Sequence, residues 1–393
     1  MTIDLVPPRV RRPLPPAVLV LAATILPVLC LLIWSPSDSM SDLRVYYAAA
    51  RGLIDGEDIY TVHRNYPGMG LGFTYPPFAA IVMAPLAIGE EFGRLLMTLL
   101  SATSLLVIGW ATMRHSLAAG AALAFAGLLF EPVRSTFGLG QINLILMALL
   151  LVDLLGHLPR RYRGILVGVA TGIKLTPGIF IVFLLVTRRF REAAMACAAT
   201  AATIAIGWLV LPGSATAFWT RYIFDPGRPG PAHYISNQSL RGAITRITET
   251  PTSPLWLLTA MIVGAVGLLT AKRLHERGLR LDAVVVTAFT GLLVSPISWS
   301  NHWVWALPAA VALWSHRRTF AAVWIAVFAV GLPWWMPFSD DREFDLTFLQ
   351  SLAGNAYAIC AVLLLMRAAG RSWNRTTLRG PKGAWGVRRT FSR

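Results

Sequence analysis

Apolar runs of about 15–20 residues recur along nearly the whole chain, separated by short polar loops. Runs of that length can satisfy their backbone in lipid only as helices. The pattern therefore predicts an all-α polytopic membrane protein. The first span covers roughly residues 17–34. After it the period changes. Within the polar stretch 41–78, Leu43, Tyr46, Tyr47, Ala50 and Ile54 fall at helical spacing. That spacing predicts an amphipathic helix along the membrane surface, with Asp42 at its start.

The apolar segment 77–89 is too short to cross and carries prolines at its ends, so it reads as a re-entrant or interfacial helix. Full spans follow at roughly 93–113 and 116–130, then an outer loop over 131–140 and a span over roughly 141–157. That span ends at Pro159-Arg160-Arg161-Tyr162-Arg163. Only about 23 apolar residues separate this basic cluster from the next, Arg188-Arg189-Phe190-Arg191. Basic loops share the inner side of a membrane, so the chain must go out and back between them as two short helices. Their tip is Gly172-Ile173-Lys174-Leu175-Thr176-Pro177, with Pro177 supplying the break.

A span over roughly 192–211 leads to a loop over 212–254 rich in Gly, Pro, aromatic and polar residues, and the next span reaches Lys272-Arg273. Another over roughly 282–297 ends in the turn Ser298-Trp299-Ser300-Asn301-His302. A short span returns to Arg317-Arg318, one more ends at Phe338-Ser339-Asp340-Asp341, and the last leads to a basic tail. The expected total is about 12 crossings plus the interfacial helix, with both termini inside. Two large extracytoplasmic loops, about 35–92 and 212–254, belong to one membrane-embedded domain over 17–367, between a basic arm (1–16) and a basic tail (368–393). No internal repeat of the kind seen in inverted-repeat transporters is found.

Composition agrees: 55% of residues are hydrophobic, 14% are charged and the mean hydropathy is +0.59. No stretch is long and polar enough for a soluble domain. The net charge of +16 raises the possibility of a nucleic-acid partner. The cations instead gather in short loops at one set of helix ends, which is a topology signal, and no nucleic acid is expected. The tail from Arg367 either touches anionic headgroups or is a solvated cytoplasmic end. Arg9, Arg11 and Arg12 precede an apolar run with no small-residue cleavage site, so that run reads as a retained helix. Cys30, Cys197 and Cys360 lie in apolar runs, too dispersed for a disulfide framework or a zinc site.

Ionisable groups inside apolar segments cost several kcal/mol and are functional candidates by default. Lys174, at the hairpin tip, suits a phosphate at membrane depth; snorkelling to headgroups is the alternative. Asp42 is a candidate base or simply a helix cap. Asp58 is the second choice for a base, whereas Asp38, Asp55 and Glu57 read as turn and surface residues. His302 lies beside Trp299, Trp303 and Trp305, either in an aromatic belt or as a partner for a carboxylate or phosphate. Asn237, Gln238 and Arg241 sit in an outer loop before a helical stretch at 243–248, and Arg241 is either an anion clamp or an ordinary loop charge. Arg134, Gln141 and Asn143 flank a span in the same outer layer. Asp340-Asp341 has no third ligand at useful spacing, and no metal or cofactor is expected.

Several of these motifs occur together in a known order. Asp42-Leu43-Arg44-Val45-Tyr46 with Phe73-Thr74-Tyr75-Pro76-Pro77-Phe78 resembles the first periplasmic loop of glycosyltransferase family 87. Gly140-Gln141-Ile142-Asn143, Ile173-Lys174-Leu175-Thr176-Pro177, Asn237-Gln238-Ser239-Leu240-Arg241-Gly242 and Ser295-Pro296-Ile297-Ser298-Trp299 are similar to further motifs of that family. The resemblance spans roughly residues 15–370. One departure is visible: where the family pattern has two adjacent histidines, this chain has Asn301-His302.

The resemblance implies a C-type membrane glycosyltransferase of the actinobacterial mannosyltransferase kind. Its donor would be a polyprenyl-phosphate sugar and its acceptor a cell-envelope glycolipid or lipoglycan, at the extracytoplasmic face of the cell membrane. It implies Asp42 as base, and Lys174, Arg241, His302, Asn237, Gln238, Tyr75, Arg134 and Asn143 around the donor's phosphate and sugar. The chemistry agrees. The lipid phosphate leaves the sugar as a stable anion and needs no general acid, so one base and a set of cations suffice where a glycosidase needs two carboxylates. Direct attack inverts the anomeric carbon, turning a β-linked donor into an α-linked product, with an α-1,2 link expected. Transfer of arabinofuranose from its own lipid phosphate is the neighbouring alternative. A lipid transporter or flippase is the alternative from another class, for which charges near the bilayer midplane in paired halves would be expected.

Overall fold

The computed structural model describes residues 16–34, 40–65, 70, 72–114, 116–225, 227–250 and 253–373. The basic arm up to residue 15, the loop start at 35–39 with Asp38, His115, and the tail beyond 373 lie outside the described residues.

Every regular element among the described residues is helical. The chain runs α1 (Pro16–Trp34), α2 (Ser41–Asp55), α3 (Pro77–Val82), α4 (Glu90–Met113), α5 (Leu117–Gly127), α6 (Glu131–Leu139) and α7 (Asn143–Leu154). It continues as α8 (Ile165–Ile173), α9 (Ile179–Val186), α10 (Phe190–Val210), α11 (Pro212–Thr220), α12 (Leu240–Thr248) and α13 (Pro254–Glu276). The last elements are α14 (Arg280–Val294), a 3-10 turn (Ser300–Trp305), α15 (Ala306–Trp314), α16 (Arg318–Val330), α17 (Phe348–Gly354) and α18 (Ala356–Trp373).

Among the described residues, α4, α10 and α13 are long and apolar enough to cross a membrane singly. Two bent pairs, α5 with α6 at 72° and α17 with residues 356–370 at 71°, bring the number to five if each is one broken span. Four further apolar segments, Thr24–Ile33, Asn143–Leu154, Thr176–Val186 and Arg318–Val330, have only 10–17 residues. The result is an all-helical membrane protein.

Two loop expectations are corrected. Residues 131–140 form α6 rather than a loop, with a proline in its first turn and Gly140 ending it at φ +67°. Within the loop expected over 212–254, α11 was not expected, whereas α12 bears out the helical stretch expected at 243–248. The second of these begins at Leu240, because the Ser239 hydroxyl accepts from the Gly242 N–H at 3.1 Å and caps it. The 77–89 segment is short helix, kink and 3-10 turn, with Met83 at the join.

The hairpin around Lys174 is the element that positions the site. α8 stops at Ile173, Lys174 is extended (φ −146°, ψ 131°), and α9 starts at Ile179. A Cβ on Gly164, Gly168 or Gly172 would lie 2.1, 2.3 or 2.0 Å from Glu192 O, Ala196 O and Thr203 Oγ1 respectively. The numbers rise together, so α8 and α10 run parallel in backbone contact that only glycine permits. α9 must then return between them. At the far end Arg191 donates to the carbonyls of Arg160 (2.5 Å) and Arg161 (3.4 Å), so the two basic clusters sit together, away from Lys174.

Asp153, at the end of α7 and 1% exposed, fixes where α8 begins. Its carboxylate accepts from the N–H groups of Gly164 (2.7 Å), Leu166 (3.0 Å) and Val167 (3.2 Å), the unpaired donors of that helix start. Asp153→Ala leaves these buried donors unpaired, at a cost of about 2–3 kcal/mol. The expected result is a thermal midpoint several degrees lower in detergent, read by tryptophan fluorescence, with Asp153→Asn in between; an unchanged midpoint for Ala would refute the capping role. Behind the site, Phe289, Trp303, Trp324, Phe328 and Tyr357 are each almost fully buried and pack ring on ring, from 4.2 to 6.2 Å between centroids.

Candidate active site

α2 lies against α3, α4 and α6, its apolar face (Leu43, Tyr46, Ala49, Ala50) in the core. Asp42 is in its first turn, but the helix is entered through Met40, with no side-chain cap. The carboxylate is turned instead toward Gln141, whose Nε2 donates to Oδ2 at 2.6 Å. Gln141 Oε1 accepts from the Tyr75 hydroxyl at 3.2 Å, and the hydroxyls of Tyr75 and Tyr46 are 3.0 Å apart. Tyr75 stands directly ahead of Pro76-Pro77, and its carbonyl takes the Tyr60 hydroxyl at 2.8 Å.

Lys174 faces the same tyrosine from the other side, its Nζ 5.1 Å from the Tyr75 ring centroid. The ammonium donates to Asn143 Oδ1 at 3.0 Å and to His302 Nε2 at 3.1 Å. Accepting from an ammonium makes His302 Nε2 the unprotonated nitrogen, so the imidazole is neutral with its proton on Nδ1. Asn143 Nδ2 donates to the Asn301 carbonyl at 3.0 Å, which ties the hairpin tip to the 3-10 turn. Lys174 is only 7% exposed, and its two hydrogen-bond partners are neutral. A buried cation with neutral partners is a place built for an anion.

Burial pushes the Asp42 carboxyl up from its ordinary range, while the Gln141 hydrogen bond and the Lys174 charge pull it back. A carboxylate made more basic by burial, with a cation nearby, is suited to taking a proton.

A cavity of about 60 Å³ opens beside Lys174. Asn143, Lys174, Ser295, Ser298 and His302 form its polar part; Leu146, Met147, Leu150, Ile179, Phe180, Leu292 and Trp305 form an apolar wall between α7, α9 and α14. Polar groups at one part and aliphatic walls elsewhere suit an amphiphile with an anionic head.

Of the sequence candidates, Asp42, Tyr75, Asn143, Lys174 and His302 come together. The others are engaged elsewhere. Arg134 donates to the carbonyls of Leu129 and, at 2.9 Å, Ala329. Asn237 donates to Ala232 O (2.9 Å) and accepts from the N–H of Ser298 (2.9 Å). Gln238 donates to Ile235 O (2.8 Å) and Gly354 O (2.6 Å) and accepts from Tyr357 N. Arg241 is 5% exposed, with its guanidinium 5.6 Å from the Trp256 ring, and does not line the cavity. Asp58 is taken up by Tyr60 N (3.1 Å), Thr61 Oγ1 (3.2 Å) and Ser214 Oγ (3.3 Å).

Three buried groups were not singled out from sequence. Gln141, seen only as a flanking residue, is the hydrogen-bond partner of Asp42. Arg246 donates to the carbonyls of His233, Tyr234 and Asn237 (3.0–3.1 Å) and to Asn355 Oδ1 (2.5 Å), and burial pushes its guanidinium down to about 10. Glu131 accepts from Ser300 Oγ (3.0 Å), Trp334 Nε1 (2.8 Å) and Tyr357 OH (2.7 Å), anchoring the His302 turn from behind. No spacing rule marks such pairs; an acid in an otherwise apolar stretch is the one available signal for Glu131.

A polyprenol-phosphate-mannose-dependent alpha-(1-2)-phosphatidylinositol mannoside mannosyltransferase of Mycolicibacterium smegmatis is 34% identical over 372 residues, covering 83% of this chain and 82% of the relative. The enzyme of the same name from Mycobacterium tuberculosis is 31% identical, covering 83% of this chain and 84% of its own. A phosphatidylinositol pentamannoside mannosyltransferase of Mycobacterium tuberculosis, likewise polyprenol-phosphate-mannose-dependent and alpha-(1-2), is 35% identical, covering 82% of this chain and 80% of its own. No solved structure matches the chain significantly. The family model for glycosyltransferase family 87 matches residues 73–296, from just before Tyr75 to just before the His302 turn. By these matches the chain belongs to glycosyltransferase family 87.

Proposed function

We propose that this protein transfers mannose from a polyprenyl-phosphate donor to a hydroxyl of a phosphatidylinositol mannoside, forming an α-1,2 link with inversion. The observation that carries the reading is the joining of Asp42 and Lys174 into one cluster, through Gln141 and Tyr75 on one side and the Lys174 charge on the other. Membership of the family and the names of the relatives support the sugar and the acceptor.

In this reading the acceptor oxygen attacks the anomeric carbon as its proton passes to Asp42. The bond from that carbon to the phosphate oxygen breaks, and its electron pair leaves on the lipid phosphate. Lys174, held by Asn143 and His302, meets that charge. The isoprenoid chain lies along the Leu146, Met147 and Phe180 wall. Arg134, Asn237 and Gln238 build the frame, and Arg241 lies outside the donor pocket. The cluster faces the extracytoplasmic side, opposite the arginine clusters at 160–163 and 188–191, in a chain that crosses the membrane about 12 times with its short helices paired.

Purified protein in liposomes, given polyprenyl-phosphate mannose and a phosphatidylinositol mannoside, is expected to yield one added α-1,2-mannose. Transfer only from the arabinofuranosyl donor would replace the sugar in this reading. Movement of lipid between leaflets without glycosidic bond formation would replace the reaction.

A further inference from the structure

Tyr75 touches both halves of the site, its hydroxyl donating to Gln141 beside Asp42 and its ring facing the Lys174 ammonium. The tyrosine is itself held from outside the site. Its carbonyl accepts from the Tyr60 hydroxyl at 2.8 Å, and the Phe73 ring meets its ring edge-on at 5.6 Å. Tyr60 and Phe73 are each 1% exposed, with 6.0 Å between their ring centroids.

The groups that grip this pair come from a distant part of the chain. Phe218 stacks on the Tyr60 ring at 6.0 Å, and Tyr222 meets it edge-on at 4.9 Å. Arg228, 155 residues beyond Phe73, closes the box. Its guanidinium carbon lies 3.8 Å from the Tyr222 centroid and 4.9 Å from that of Tyr60. The same side chain, through Nη2, donates to the Phe73 carbonyl at 2.8 Å and the Tyr60 carbonyl at 3.4 Å. A planar fork that lies against two rings while bonding two carbonyls fixes all of them in one geometry. Each further link is a direct contact: Tyr60 and Phe73 to Tyr75, Tyr75 to Gln141, Gln141 to Asp42. We infer that Arg228 is a positioning residue for the transfer, setting the Tyr75 hydroxyl on Gln141 and so the direction in which the Asp42 carboxylate points. The inference rests on the glycosyl-transfer reading above. It gives a part in the reaction to Arg228, Phe218 and Tyr222, which do not line the cavity beside Lys174. Small misplacements of a reacting group by distant changes are costly to rate.

A double-mutant cycle in liposomes tests this, with polyprenyl-phosphate mannose as donor and a phosphatidylinositol mannoside as acceptor. Arg228→Gln is expected to lower kcat about tenfold, because the Tyr75 hydroxyl is no longer held on Gln141. Tyr75→Phe removes that hydroxyl, keeps the ring against Lys174, and should cost a similar factor by itself. In the Tyr75→Phe background, Arg228→Gln should then cost no more than about twofold in kcat. The thermal midpoint should fall equally in both backgrounds, since the box around Tyr60 is the same in each. An equal loss of kcat in both backgrounds, or none in either, would overturn the inference and leave Arg228 holding the fold alone. If Arg228→Gln does not fold, Arg228→Lys, which keeps a donor for the Phe73 carbonyl, enters the same cycle and is judged by the same ratio of losses. Failure of both variants to fold would overturn the inference as well. No transfer by wild type would instead remove the glycosyl-transfer reading, and this inference with it.

Discussion

Asp42→Asn is expected to lower the rate of mannose transfer by about 10³-fold while leaving the fold intact, because removal of a general base typically costs 10²–10⁴. The substitution is close to isosteric, and the amide oxygen can still receive Gln141 Nε2 in place of the carboxylate. What is lost is the ability to take a proton. Binding of the lipid-phosphate donor should change little, so kcat falls with KM for the donor nearly constant. Stability should hold or rise: burial raises the folded-state pKa of Asp42, so its ionised form opposes folding at neutral pH. The wild-type rate has a corresponding pH profile. The base works deprotonated, so activity falls as pH drops through the raised pKa, at a higher pH than an exposed aspartate would give. Near wild-type turnover by Asp42→Asn would remove the residue from the chemistry and return attention to Asp58.

Lys174→Met should lower kcat/KM for the donor by about 10²–10³-fold, the range for removing one group that stabilises developing charge in a dry site. Methionine keeps much of the packing between Tyr75 and the cavity and removes only the ammonium. The effect should fall on both donor affinity and turnover, since the phosphate is charged before transfer and more so after. The acceptor's apparent affinity should stay within about twofold, since the proposed acceptor contact is with Asp42. Equal losses for donor and acceptor would mean that the lysine holds the fold rather than the phosphate. Arginine is not a safe replacement, because Asn143 and His302 fit a compact point donor and not a planar fork.

The parts of this site that stood out in the sequence were those that violate the apolar pattern. Lys174 stands in a run of small and aliphatic residues where lipid would exclude it without a reason, while Asp42 opens an amphipathic stretch and His302 sits among tryptophans, each at the edge of an apolar span. The hairpin was also legible, because two arginine clusters about 23 residues apart permit few paths. Polar residues that staple one backbone to another give the same signal as those that bind a ligand. Arg134, Asn237 and Gln238 were therefore indistinguishable from Asn143 until their partners were seen. The contact of Gln141 with Asp42 joins positions 99 residues apart, and no local period encodes it. The helix over Glu131–Leu139 was hidden by its own composition: a proline near the start and a glycine at the end punctuate loops and helix termini alike.

The stacking of α8 on α10 also sets how far the lysine can travel. With backbone oxygens where side chains would otherwise be at Gly164 and Gly168, and a threonine hydroxyl at Gly172, the two rods have no slack to slide or roll past each other. The ammonium is carried on the end of a gauge of fixed height, set at its lower stop by Asp153. In the proposed reading an incoming lipid donor adjusts its own depth in the bilayer to meet that mark, its long, pliant chain being the partner able to do so.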